Sequence, residues 1–188
     1  MKGREKKEMK TNIVFIGFSG VGKTSVGKQL ANLLKKSFYD TDIEIQKSVG
    51  ISIPEFFEKY GEVYFRKEEH ETVKRLSQYD NCVISTGGGI VLNKNNLDLL
   101  KEKGLIICLK ARPEVVYRRI EIFNNRPLLK ENLYKSIIRL MKEREGLYNQ
   151  ADFTLDTSDL ELDQVIDQIL TFLIDFRIQQ KKASDCHN

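Results

Sequence analysis

The residues Gly17-Phe18-Ser19-Gly20-Val21-Gly22-Lys23-Thr24 fit the pattern G-x-x-x-x-G-K-[ST], whose chemistry is the cradling of phosphate. Glycines let backbone N–H groups curl round phosphate oxygens, and a helix starting here aims its positive end at the same anion. Lys23 is suited to reach the β- and γ-phosphates as a point charge, and Thr24 to offer its hydroxyl to Mg2+. The plain alternative is a chance glycine turn. The context argues against it, because an apolar, β-branched run (Asn12–Phe18) precedes the loop. A helical pattern through Val26, Leu30, Leu33 and Leu34 follows it. Further along, Asp40-Thr41-Asp42 closes a short strand-like segment, Ser37–Asp40. Strand ends of this kind line the ligand crevice of open α/β sheets. There Asp40 could hold Mg2+ through water, while Asp42 accepts a proton from a substrate hydroxyl. The same residues would equally serve as N-caps for a helix from Ile43. A GTPase is disfavoured, since the only Asn-Lys, at Asn93-Lys94, lacks the base-reading aspartate.

The elements that must hold these residues alternate between strand-like and helical. After the phosphate loop come a helix at Thr41–Val49 and another opened by Ser52, Pro54 and Glu55 in a capping box. A long charged helix, Glu62–Gln78, follows. A third strand, Cys82–Ser85, is broken at once by Gly87-Gly88-Gly89. A helix at Asn96–Lys103 stops at Gly104, before a fourth strand at Leu105–Leu109. Pro113 starts a helix that ends near Phe123, and the proline and asparagines of Asn124–Asn132 read as a mobile loop. Leu133–Leu147 is helical and Phe153–Asp156 makes a fifth strand. Ser158 with Glu161 is read as capping a last helix with an apolar stripe through Val165, Ile166, Ile169, Leu173 and Phe176. The alternation predicts a parallel sheet covered by helices in a single α/β domain.

Composition agrees with that class. The chain has 188 residues, 40% hydrophobic and 31% charged, a length that suits one domain. No apolar run approaches the roughly 20 residues of a bilayer span. The formal net charge of +4 is carried by the two ends, with Lys2, Arg4, Lys6, Lys7 and Lys10 at one and Arg177, Lys181 and Lys182 at the other. Charge placed this way argues for solvated extensions, not a nucleic-acid groove. Cys82, Cys108 and Cys186 lack metal-site spacing, and the first two sit in apolar runs as small hydrophobes. The charged N-terminus has no apolar core of a secretion signal, so a reduced, cytoplasmic setting is expected.

Taken in order, the motifs resemble the shikimate kinases, within the nucleoside-monophosphate-kinase-like P-loop proteins. Beyond the P-loop the resemblance is carried by Asp40-Thr41-Asp42, by Phe57-Glu58-Lys59-Tyr60-Gly61-Glu62-Val63-Tyr64-Phe65-Arg66 and by Thr86-Gly87-Gly88-Gly89. It continues through Asn125-Arg126-Pro127-Leu128 and Arg144-Glu145-Gly146-Leu147-Tyr148, and it spans about residues 12–176. Residues 1–11 and 177–188 are polar extensions without a counterpart. The resemblance implies a three-layer fold with a five-stranded parallel sheet in the order 2-3-1-4-5 and a mobile lid. It also implies transfer of the γ-phosphoryl group of ATP to the 3-hydroxyl of shikimate, on the path to chorismate and aromatic amino acids.

Roles follow position by position. Gly20, Val21, Gly22, Lys23, Thr24 and Ser25 would bind ATP, with Arg119 against the adenine, although Arg118 is its neighbour. Thr24 and Asp40, through water, would hold Mg2+, with Ser85 near the metal's water shell. Asp42 would act as the base, and Arg126, in the lid, would close on the transferring phosphoryl group. Arg66 and Arg144 would hold the substrate carboxylate, for which guanidinium forks are geometrically suited. Gly87, Gly88 and Gly89 would let backbone N–H groups approach the substrate closely. Read without the resemblance, the arginines are ordinary surface residues and the glycines a tight turn. Ile53, Phe57 and Phe65 serve as a pocket wall or as core packing. Ser19 stands where many relatives have methionine, a change expected to be tolerated because the backbone does the binding. Thr157-Ser158-Asp159 replaces the basic or proline-containing adenine loop of some relatives. The expected partners are ATP and shikimate, with no nucleic acid or membrane, and the expected state is a monomer. The rival readings are a sugar-acid kinase such as a gluconate kinase and a non-catalytic nucleotide-binding regulator.

Overall fold

A computed structural model describes residues 10–123 and 130–185. Five parallel strands, β1 (Asn12–Ile16), β2 (Ser37–Asp40), β3 (Cys82–Ser85), β4 (Gly104–Lys110) and β5 (Phe153–Asp156), form one sheet in the order β2-β3-β1-β4-β5. β1 lies between β3 and β4, with Val14 in register with Ile84 on one side and Ile106 on the other. Every residue of β1 is buried. That is why residues 13–16 form a continuous apolar run: helices cover both faces of a parallel sheet.

Alternation along the strand assigns the two faces. Ile13 and Phe15 pack with Leu30, Val116, Ile166 and Ile169, under the helices α1 (Lys23–Leu33), α5 (Pro113–Phe123) and α7 (Leu162–Asp185). Val14 and Ile16 face Val73, Leu76 and Leu97, under α3 (Ile53–Leu76) and α4 (Lys94–Lys103). Chain order reverses beside β1: β2 and β3 lie to one side, β4 and β5 to the other. The crevice outside the carboxyl ends of β1 and β3 is therefore where a ligand belongs.

Local details agree with the sequence in part. Ser52 and Glu55 form the expected reciprocal capping box at the start of α3. The two helices expected there form one run, broken at Gly61 (φ 78°, ψ 176°). α2 (Thr41–Val49) has the expected bounds. α6 runs from Lys130 to Arg144, so Asn132, read as loop, is helical; a 3-10 segment, Glu145–Gln150, follows. Ser158 does not cap the last helix. Its hydroxyl accepts from the Arg112 backbone N–H at 2.8 Å and donates to Asp156, and the helix begins later, at Leu162. α7 crosses Phe176 without a break, so part of the C-terminal extension is helical. No helix among the described residues is long and apolar enough to cross a membrane.

Candidate active site

The phosphate loop joins β1 to α1. Gly17, Gly20 and Gly22 hold φ of 139°, 81° and 102°, conformations that side-chain-bearing residues rarely take. α1 has no side-chain cap and no acid in its first turn, so its amino end is left for an anion. Lys23 is 7% exposed, and its Nζ donates to the carbonyls of Gly17 and Phe18, both at 2.8 Å. Burial lowers its pKa to about 8, against the pull of the Asp42 and Asp40 charges.

Asp40, at the end of β2, answers both sequence readings at once. One carboxylate oxygen caps α2 by accepting from the Asp42 and Ile43 N–H groups, at 3.0 and 3.4 Å. The other accepts from the Thr24 hydroxyl at 2.7 Å, and Ser85 Oγ lies 3.4 Å from the same hydroxyl. The Asp42 carboxylate, on the first turn of α2, is left without a hydrogen bond among the described residues. Burial, then the Asp40 charge, raise its pKa to about 6, with Lys23 opposing.

The three glycines after β3 let functional side chains lie directly on the backbone. A methyl group on Gly87 would come 2.5 Å from an Asp42 carboxylate oxygen, and one on Gly89 would come 2.5 Å from the Arg66 guanidinium. On Gly88 it would meet Ser19 Oγ at 2.5 Å. Of the three N–H groups expected to approach the substrate, that of Gly87 donates to the Thr41 hydroxyl at 2.8 Å. The Gly88 carbonyl accepts from Arg144 Nη1 and from the Tyr148 hydroxyl, each at 3.2 Å. Arg144 also lies over the Phe18 ring, 5.6 Å from its centroid, which ties the acceptor side to the phosphate loop.

Neither arginine is an ordinary surface residue. Arg66 is clamped by both oxygens of Glu69, at 3.0 and 2.9 Å, and by Glu62 at 3.0 Å. Glu69 is 1% exposed. Arg119 reaches the phosphate loop: it donates to Val21 O at 3.2 Å and to Thr157 O at 3.0 Å, whereas Arg118 is exposed and donates to Glu114 O. Phe65 is buried with Ile45 and Phe56, and Ile53 and Phe57 pack against them in a small core between α2 and α3. Arg126 lies outside the described residues.

A family model of shikimate kinase matches residues 19–174. The chain belongs to the shikimate kinase family. The shikimate kinase of Pelotomaculum thermopropionicum is 49% identical over 163 residues, 86% of this chain and 95% of that protein. Among solved structures, a shikimate kinase from Acinetobacter baumannii in complex with shikimate is similar at TM-score 0.82 and 35% identity, covering 90% of this chain and 95% of its own. A shikimate kinase from Aquifex aeolicus gives 0.76 and 41%, over 86% and 95%. A gluconokinase from Sinorhizobium meliloti, at 0.63 and 17% over 94% and 99%, shares the fold alone.

Three partners in this shikimate kinase site carried no role in the sequence reading. Glu69 sits three residues from Arg66, a spacing that allows a helical ion pair, but Glu62 has an equal claim. Thr157 is 2% exposed, and its hydroxyl lies within hydrogen-bond distance of the Val21 and Lys110 carbonyls. Tyr148 falls inside a quoted motif, but only the fold brings it to Gly88.

Proposed function

We propose that this chain transfers the γ-phosphoryl group of ATP to the 3-hydroxyl of shikimate, releasing ADP and shikimate 3-phosphate. The observation that carries the reading is the convergence of Asp42, Arg66 and Arg144 on one glycine loop opposite the phosphate loop. Arg66 and Arg144 provide forks for a carboxylate, and Asp42 provides an acceptor for a hydroxyl proton. With a pKa near 6, Asp42 is ionised at neutral pH yet basic enough to take that proton as the acceptor oxygen attacks phosphorus. The bond from the γ-phosphorus to the bridging oxygen then breaks, and Lys23 helps neutralise the charge that collects there.

Gly20, Val21, Gly22, Lys23, Thr24 and Ser25 cradle the phosphates, and Arg119, held by Thr157, lies against the adenine. Arg126 neutralises charge on the transferring group. Thr24 and Asp40, with Ser85 nearby, offer the oxygen donors a hard cation prefers. Among the described residues no cluster of three or more His, Cys, Asp or Glu side chains could hold a metal. A hydroxyl and one carboxylate would leave most ligand positions to water and phosphate, as Mg2+ demands. Bound there, Mg2+ supplies charge neutralisation on the phosphates. The chain acts as a cytoplasmic monomer on small molecules, without nucleic acid.

A coupled ADP-release assay with shikimate and with gluconate tests the activity. Turnover with shikimate is expected. Turnover only with gluconate would make the chain a sugar-acid kinase, and ATP binding without acceptor-dependent turnover would make it a nucleotide-binding regulator.

A further inference from the structure

Ser19 stands where the two halves of the site meet. It is exposed at the mouth of the phosphate loop. A methyl group on Gly88 would come 2.5 Å from its Oγ and 2.8 Å from its N, so Ser19 rests directly on the acceptor-side loop. On its other side Ser19 shares a peptide with Phe18, whose carbonyl accepts from Lys23 Nζ at 2.8 Å. Lys23 marks the end of the loop that receives the β- and γ-phosphates. Phe18 also supports the Arg144 guanidinium, which in turn donates to the Gly88 carbonyl. A group at position 19 is therefore bounded by the terminal phosphate on one side and the acceptor loop on the other.

We propose that the Ser19 hydroxyl donates a hydrogen bond to a terminal oxygen of the γ-phosphoryl group, and that Ser19 is a catalytic residue of the transfer. The inference rests on the reading of the phosphate loop as an ATP site facing a hydroxyl acceptor. As Asp42 takes the acceptor proton, the new P–O bond forms and the bond to the bridging oxygen breaks. The terminal oxygens then move from the Lys23 side toward the Gly88 side. A neutral donor between the two keeps a partner through that movement and adds no charge to be desolvated. Methionine at this position would offer no such donor. The proposal gives the Ser19 side chain a participating role where the sequence reading expected only tolerance.

The test uses the full chain in three forms: wild type, Ser19→Ala and Ser19→Thr. Titration calorimetry gives Kd for ADP and for the β,γ-imido analogue of ATP, and shikimate-dependent turnover gives kcat. Ser19→Ala is expected to weaken the imido analogue by about tenfold or more, the scale of a hydrogen bond to a charged group. ADP affinity should hold, kcat should fall by a similar factor, and Ser19→Thr should restore both. Equal weakening of ADP and the imido analogue would mean a distorted loop and would overturn the proposal, as would an unchanged ratio of the two. Absence of shikimate turnover in the wild type would sink the acceptor reading instead. The Ser19 contact would still stand or fall on the ratio of the two nucleotide affinities.

Discussion

At Asp42, burial and the nearby Asp40 carboxylate raise the pKa from 3.8 to about 6 while Lys23 pulls it down, so the folded state disfavours the charge that turnover needs. The sign of the linkage follows. Below pH 3.8 both folded and unfolded chains carry the proton, and ionisation costs the fold nothing. The cost grows between 3.8 and about 6 and is full above that range. Asp42→Asn should therefore raise Tm at pH 7, with the gain vanishing as pH falls toward 3.8, and should cut kcat by about 10²-fold or more. A lower Tm with kcat intact would return Asp42 to a structural role. In the wild type, kcat/KM should fall as pH drops through about 6. Arg66→Lys keeps a charge but loses the fork held by Glu69 and Glu62. KM for shikimate should rise while KM for ATP holds, and steady-state kinetics with each substrate varied will read the difference. Arg126→Ala should lower kcat by about 10³-fold or more, the scale of an arginine on a transferring phosphoryl group, with Tm and nucleotide Kd unchanged.

Among the elements, α3 shows how a break serves a site. Gly61 holds φ 78° and ψ 176°, a region essentially reserved for glycine. The break lets the first part of the helix present Phe56 and Phe57 to the small core with α2. The second part carries Arg66 and Glu69 to the glycine loop after β3. Gly61→Ala would meet no steric neighbour, so its cost is conformational, about 1–3 kcal/mol. Thermal melting should show a fall of several degrees in Tm, and calorimetry should show weaker shikimate binding, because Arg66 would be re-aimed. An unchanged Tm would mean that the backbone relaxes there. The capping box at Ser52 and Glu55 was readable because it is local; the start of α7 was not. Ser158 has the right residue type for a cap, but it is drawn to the Arg112 N–H, a partner remote in sequence.

At the scale of the whole molecule, the match to the family spans residues 19–174, while α7 continues to Asp185. Along its far end Ile174 is 59% exposed and Ile178 46%. Arg177 contributes, after burial, to lowering the Lys36 pKa, an unfavourable pairing of like charges. Residues that bury so little add little to stability. Deletion of residues 177–188 is thus expected to leave kcat and both KM values unchanged and to move Tm by no more than about 2 °C. A large loss would mean that residues 177–180 pack on the domain more than the exposure of Arg177 and Ile178 implies.

The sequence by itself determined the phosphate loop, the alternating α/β order, the parallel sheet and the family, because these are written in short-range patterns and in the order of motifs. Continuous apolar runs such as that of residues 13–16 announce strands buried on both faces, and G-x-x-x-x-G-K-T needs only its own backbone. Only the tertiary structure decided that Asp40 both caps α2 and holds Thr24, and that Glu69 clamps Arg66. It also decided that Thr157 anchors the loop of Val21, and that Ser19 lies on Gly88. Each of these depends on which groups the sheet topology brings together and how far it removes them from water. Local spacing carries neither the neighbours nor the burial that set a carboxylate's pKa.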